Sequence, residues 1–487
     1  MHLSPKTRLL LTGFFVSLGG SFQYGYQQSY INPSEFVLRQ FFNQSFQDHH
    51  GVFLTDSNFR LIWSITAGLA LLGACFSSVF VPSMAEKFGS KLSVALSCCI
   101  LLVAAVPSFA SYHLNSYQLF MAGRLVYGIG CGFVIGHQSL YLEEISPLHQ
   151  RGFIGSMTGL MLEIGFTLGA VVGSPHFLGT ETGWPWIFAL ATFPLFLLLI
   201  SLRFCAESPY YFLKRKQTEK ASQAVQFYYE NGTDVKKILN LLEEELQEHQ
   251  DSVSIAQLLV SQYGLKGTLL AVASHVAVAF SGIVALSYFA THLLVETGLT
   301  HDTAAYATIA ICAASPVGAF LSLWVVDRFG RKPLLLFSCL AAAVCNLVFQ
   351  VLMHIYQYYI ESATLGYCFF GASFLFMISF GMGLANIPWF LATELVPPKL
   401  KAPAQTLVMV THYLTCFLAS AIFFPLEGAV GSYSFLIFSV PLATITIYFY
   451  LSLPETKNRT NADVLRELYH KRPPECQMSL IEDQQKS

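Results

Sequence analysis

The sequence predicts an all-α membrane protein of twelve transmembrane helices, arranged as two related six-helix halves. Three observations predict it. Of the 487 residues, 54% are hydrophobic and 11% charged. Soluble domains carry roughly 25% charged residues, so the surplus apolar surface must face lipid. Apolar stretches of about 20 residues, long enough to cross a bilayer, recur twelve times, and short charged motifs recur twice at the predicted helix ends.

The first six stretches lie near 9–30, 61–82, 92–112, 118–140, 152–173 and 184–204. The second six lie near 268–291, 303–325, 333–354, 365–392, 404–424 and 432–452. Lys6 and Arg8 before the first run imitate a signal peptide. No small-residue cleavage site follows, and Gln23, Gln27 and Gln28 dilute its second half, so a first transmembrane helix is expected. With both termini placed in the cytoplasm, every Lys and Arg except Arg39, Arg60 and Arg124 falls on the cytoplasmic side. That is a strong positive-inside pattern, and an odd number of spans would scramble it. The expected domains are a half over 1–204, a cytoplasmic helical linker over 205–266, a second half over 267–453 and a cytoplasmic tail over 454–487. Within the linker, Leu239, Leu242 and Leu246 recur at helical spacing beside Glu243, Glu244 and Glu245, the pattern of an amphipathic helix.

Several functions are excluded. The net charge of −2 offers no footprint for nucleic acid. No phosphate-binding loop with Gly-Lys-Ser/Thr is present, which argues against ATP-driven transport. No nucleophile, base and orienting group stand at interpretable spacing, so no enzyme is expected. Nine of the 11 cysteines lie in predicted spans, leaving Cys205 and Cys476, with neither a disulfide framework nor metal-ligand spacing. No cofactor or metal is expected. Asn43-Gln44-Ser45 is a glycosylation sequon in the predicted first outside loop. Asn231-Gly232-Thr233 and Asn458-Arg459-Thr460 also match and are expected to be cytoplasmic and unused.

The repeats sit at cytoplasmic helix ends. Glu86-Lys87-Phe88-Gly89-Ser90-Lys91 is echoed by Asp327-Arg328-Phe329-Gly330-Arg331-Lys332, at an offset of 241 residues. Glu144 with Arg151 is echoed by Glu394 with Lys401, at an offset of 250. Glu207-Ser208-Pro209 is echoed by Pro454-Glu455-Thr456-Lys457, at an offset of 248. Near-equal offsets imply two parallel repeats, the design of a major-facilitator transporter with its substrate near the midplane. Glu86, Lys87, Glu144, Arg151, Glu207, Asp327, Arg328, Arg331, Glu394, Lys401 and Glu455 are therefore read as a latch. Such charges pair across helices in one state, part in the other, and bias a two-state rocking equilibrium by a few kcal/mol at most.

These residues resemble the facilitative sugar transporter family, within the major facilitator superfamily, over nearly the whole chain. Gly20 to Tyr26 followed by Ile31-Asn32-Pro33, Gly123-Arg124 with Gly128, Glu207-Ser208-Pro209, Ile387-Pro388-Trp389 with Glu394, and Pro454-Glu455-Thr456-Lys457 carry the resemblance. Arg124 is included with the gating residues. The departures fall mainly in the expected sugar site. The family's seventh-helix Gln-Gln-Leu-Ser-Gly-Ile-Asn corresponds to Val278-Ala279-Phe280-Ser281-Gly282-Ile283-Val284. The family's fifth-helix glutamine corresponds to Glu163, its tenth-helix glutamate to Gly381 and its eleventh-helix asparagine to His412. In the loop motif, Ser90 replaces the family's arginine, which weakens the first-half latch. Three lost side-chain bonds at ~1 kcal/mol each weaken sugar binding by roughly 100-fold.

The resemblance implies substrate contacts from Gln23, Gln27 and Gln28 with neighbouring Tyr24, and from Glu163, Tyr288, Trp389 and His412. Glu163 lies mid-membrane, where an ionised carboxylate costs at least ~2.5 kcal/mol, and Arg124 is its expected basic partner. Related proton–sugar symporters carry an aspartate where this chain has Gln27, which cannot cycle a proton. The implied function is facilitative uniport of a hexose such as glucose or fructose, by alternating access across the plasma membrane. The alternatives are transport of a polyol, urate or another organic ion, with or without proton coupling, and a non-transporting sugar sensor. The expected partners are a small-molecule substrate and the lipid bilayer.

Overall fold

The computed structural model describes residues 4–230, 234–250, 255–457, 459 and 461–469. Among them the regular structure is helical throughout. The twelve long elements are α1 (Pro5–Gly19 continued by Ser21–Ser29), α2 (Asp56–Ser78), α3 (Ser90–His113), α4 (Tyr117–Ile145), α5 (Leu148–Val172), α6 (Trp186–Leu202), α7 (Gln262–Ala279 continued by Ile283–Val295), α8 (His301–Phe329), α9 (Arg331–Tyr358), α10 (Ala363–Met382 continued by Ile387–Leu395), α11 (Lys401–Val430) and α12 (Leu436–Ser452). Exposed apolar side chains such as Val103, Phe193, Phe320 and Leu451 mark the surface a bilayer would cover.

Local sequence explains where these helices begin. The hydroxyls of Ser4, Thr55, Ser116 and Thr300 accept from the backbone N–H three residues on and open α1, α2, α4 and α8. The second helix starts about five residues earlier than the apolar run suggests, because Thr55 caps it. The apolar Val79–Val81 that extended the expected span belongs instead to a turn and a separate short helix, Val81–Phe88.

Three helices are interrupted near mid-depth, and neighbours satisfy the freed backbone as a membrane interior requires. In α7 the break at 280–282 puts Gly282 at φ +94, and Asn346 of α9 donates to the Ser281 carbonyl at 2.6 Å. In α10 the break at 383–386 is spanned by Ser338, which donates to Ser379 O and accepts from Leu384 N, while Asn386 donates to Gly381 O.

Within the first half, helices touch through glycine, the usual device for close approach in membranes. A methyl group at Gly25 would lie 2.0 Å from Leu162 O, and one at Gly128 would lie 2.1 Å from Ala70 O. Between halves, α2 packs on α11 and α5 on α8. The α5–α8 seam is uneven. Gly155, Gly159 and Glu163 share a face of α5 at four-residue spacing. A methyl at either glycine meets no described atom within 4 Å, whereas Thr167, one turn past Glu163, donates to Cys312 O of α8 at 3.3 Å. Among the described residues, this seam is therefore open at the end carrying the charged repeats, here called the basic end, and closed toward the far end.

The linker forms helices Pro209–Lys214, Thr218–Tyr228, Val235–Gln250 and Ile255–Val260. Leu239 and Leu242 are buried on the apolar stripe that the sequence predicts. Asn43 lies not in an open loop but on helix Glu35–His50, half-buried, with its Oδ1 enclosed and without a partner. The side chain of Asp327, Cys476, the sequon at 231–233 and parts of that at 458–460 lie outside the described residues.

Candidate functional site between the two halves

Tyr24, Gln27 and Gln28 of α1 line a narrow cavity with Ala70, Tyr127 and Cys131, with room for about one water. Spacings of three and four put these α1 residues on one helical face. Gln27 Oε1 is buried and has no hydrogen-bond partner. From the other half, Tyr288 donates to Gln28 Oε1, and Tyr413 packs edge-on to Tyr24 with centroids 6.5 Å apart.

An aromatic row continues from there. Tyr413 contacts His412 at 5.2 Å, His412 contacts Trp389 at 5.3 Å, and both rings contact His275, at 4.9 and 5.4 Å. His275 Nε2 lies 3.0 Å from Pro388 O, so it is the donor, and the buried Nδ1 is left without a partner. Glu163, on α5, is buried, and its backbone carbonyl accepts from the Thr167 hydroxyl at 3.0 Å.

Two expectations for this region are corrected. Gln23 does not line the cavity. Its Nε2 donates to Ala191 O of α6 and its Oε1 accepts from Tyr127, so it fastens α1 inside its own half. Arg124 does not pair with Glu163. Its guanidinium donates to Gln27 O and Ala67 O, both at 2.9 Å, and lies 5.7 Å from the Tyr30 ring centroid. The sequence also gave no notice of the far-end ties between halves. Arg60 is ion-paired with Glu427. Asn32 donates to Leu286 O and accepts from Thr291 N.

The model of the family described as "Sugar (and other) transporter" matches residues 12–467. The chain belongs to this family. It is a transporter and not an enzyme. Among similar relatives, mouse facilitated glucose transporter member 7 is 29% identical over 460 residues, which is 94% of this chain and 89% of that protein. Facilitated glucose transporter protein 1 of Caenorhabditis elegans is 28% identical over 472 residues, 95% of this chain and 91% of that protein. The solved structure of the xylose transporter XylE from E. coli, in a partially occluded inward-open conformation, superposes with a TM-score of 0.76 at 20% identity, over 93% of this chain and all of that one. The fold is thus the major-facilitator fold.

In this transporter the repeated motifs serve a shared structural purpose. Gly89 and Gly330, at φ +90 and +96, immediately precede α3 and α9. Each helix start, a site for negative charge, receives a carboxylate from the chain that follows its half. Glu207 accepts from Lys91 N at 2.8 Å and Ser208 N at 2.9 Å. Glu455 accepts from the N–H groups of Arg331, Lys332, Thr456 and Lys457 at 2.9 to 3.1 Å. A methyl on Gly89 would sit 2.8 Å from Glu207 Oε2, and one on Gly330 would sit 2.7 Å from Glu455 Cδ. Glycine is required twice over, for φ and for space.

The second carboxylate of each repeat is held alike. Ser90 donates to Glu144 at 2.6 Å, where Arg331 faces Glu394 at 3.5 Å. The hydroxyl substitutes for the guanidinium. Glu86 pairs with Lys214, Arg215 donates to Lys87 O, Lys457 donates to Arg328 O, and Arg151 donates to Tyr210 Oη. Lys401 opens α11. Each of these contacts joins a half to itself or to the segment that follows it. Glu455→Gln should lower the thermal midpoint in detergent more than Glu207→Gln, because more charge-assisted bonds are lost, at about 1.5–3 kcal/mol each. Equal midpoints would contradict that ranking.

Proposed function

We propose that the chain is a facilitative hexose uniporter, carrying a sugar such as glucose or fructose by alternating access. The observation that carries this reading is the small polar cavity beside α1. An enclosed, unpartnered Gln27 Oε1 stands ready for a hydroxyl donor beside Gln28 and Tyr288. The aromatic row Tyr413, His412 and Trp389 offers an apolar platform to the C–H face of a pyranose or furanose ring. Amides that both donate and accept suit a hydroxyl-rich ligand. The retained amides of α1 and the two imidazoles supply polar contacts in place of the glutamines and asparagine missing from α7. The relatives named above as glucose transporters support the same substrate class.

Uniport rests on Gln27, which cannot titrate. The basic end is assigned to the cytoplasm, with both termini there, and the protein to the plasma membrane. The halves rock as bodies. The far-end ties hold the present, inward-facing state, and in the opposite state charges at the basic end become free to pair across the halves.

The test is uptake of labelled glucose and fructose into liposomes containing the purified protein, with protein-free controls. Saturable uptake of at least one sugar is expected. An inside-alkaline pH gradient should leave the internal sugar at its external concentration. Accumulation above it would establish proton coupling, with Glu163 as the group to mutate next. Absence of uptake by folded protein would turn the assignment to a polyol, an organic ion or a sensor.

A further inference from the structure

The far-end seam holds titratable groups that the transport site does not use. Glu35, in the first turn of helix Glu35–His50 and in the N-terminal half, is buried. Its Oε1 lies 3.6 Å from Nδ1 of His292, on the outer piece of α7 in the other half. His292 Nε2 has no hydrogen-bond partner, and lies 3.9 Å from Glu296 one turn on and 3.9 Å from Glu427 of α11.

The nearby cations are committed elsewhere. Arg60 of α2 is paired with Glu427, and Arg39 with Asp56. His301, at the start of α8, packs on Phe36 with centroids 5.0 Å apart. Among the described ion pairs, Glu35 has only the imidazole. Burial, with Glu427 and Glu296 adding to it, pushes the Glu35 carboxyl up to about 8 against the pull of Arg39 and Arg60.

Opening this end would separate Glu35 from His292, Glu296 and Glu427 at once, because all three belong to the other half. Glu35 would then meet water beside Arg39 and Arg60 and return toward the ordinary value of 4.5. We propose that Glu35 is a proton-binding site that controls the far gate: closing the seam takes up one proton, and opening returns it to the same side. Since the closed form binds the proton more tightly, acid favours closure. That bias is fully present below about 4.5 and is lost as pH rises through about 8. Because the proton leaves where it entered, pH on that side regulates the carrier without driving it. The inference rests on the alternating-access reading above, whatever the solute.

Amide hydrogen exchange over residues 283–295 of the purified full-length protein, at pH 5.5 and 7.5, reads the gate without substrate. After correction for the intrinsic pH dependence of exchange, wild type should exchange at least about tenfold more slowly at pH 5.5, since each unit within the window is worth up to tenfold. Glu35→Gln should be slow and alike at both pH values. Glu35→Ala, equally unable to titrate, should also lose the pH response, and covers the case of a glutamine variant that does not fold. A wild type with the same corrected rate at both pH values, or a response that survives in either folded variant, would overturn the proposal. Sugar uptake on the same preparation separates the two readings: lost uptake with the pH response intact would count against the hexose assignment alone.

Discussion

Replacing Arg124 by lysine is expected to lower the unfolding midpoint and to cut transport by tenfold or more. Arg124 is fully buried on α4, and no described carboxylate pairs with it. Its charge is held by two carbonyls on two other helices, Gln27 O of α1 and Ala67 O of α2. Gln27 lies in the last turn of α1, where carbonyls lack intrahelical partners and attract a cation. Lysine keeps the charge, so the cost of burying it stays in the balance and does not mask the change. An ammonium is a point donor, without the planar fork that reaches both carbonyls at once. The variant loses one charged bond, about 1.5–3 kcal/mol, and the guanidinium contact over the Tyr30 ring, about 1 kcal/mol. The functional loss follows from position: Arg124 holds the α1 turn that presents Gln27 and Gln28 to the cavity. Thermal unfolding in detergent and uptake in liposomes check the two parts. A lysine variant with unchanged midpoint and uptake would show that the fork is dispensable.

The bundle was legible because hydropathy and charge placement are properties of single segments. Lys and Arg cluster at alternate helix ends, and motif spacing marks the two halves. The reason for the motifs was less legible. Gly89 and Gly330 reveal their purpose only once Glu207 and Glu455, more than a hundred residues away, are seen on the helix starts. The interior polar residues were read with mixed success for a related reason. Gln23 and Gln27 are four apart on one helix, and nothing local shows that Tyr127 and Ala191 occupy the first and leave the second open. Arg124 and Glu163 looked complementary because each is costly alone in a membrane. Two backbone carbonyls hold Arg124 instead, one in the last turn of α1 and one within α2, and no sequence pattern announces them. Glu35, His292 and Glu427 do not belong to the repeats, so no symmetry announced them.

Gln27→Met should move stability and transport in opposite directions. In the unliganded protein Gln27 Oε1 is buried and unpartnered, a condition that costs about 1–3 kcal/mol. Methionine matches the length of the side chain, removes the orphan acceptor, and fills the space with a flexible apolar group. The empty transporter should therefore unfold at a higher temperature than wild type. With substrate present the same oxygen gains a hydroxyl donor, and a site built around such a bond discriminates strongly against its loss. Uptake efficiency for the transported sugar should fall by about 10- to 100-fold, the equivalent of about 1.4–2.8 kcal/mol, chiefly through a raised half-saturation concentration. The opposed signs make the test specific. A residue that merely packs α1 against α4 would, when replaced poorly, lower both stability and uptake, whereas one that packs well would leave both unchanged. Lower stability together with lower uptake would mean that Gln27 is structural and that the sugar is held elsewhere, with His412 and Trp389 the next residues to replace.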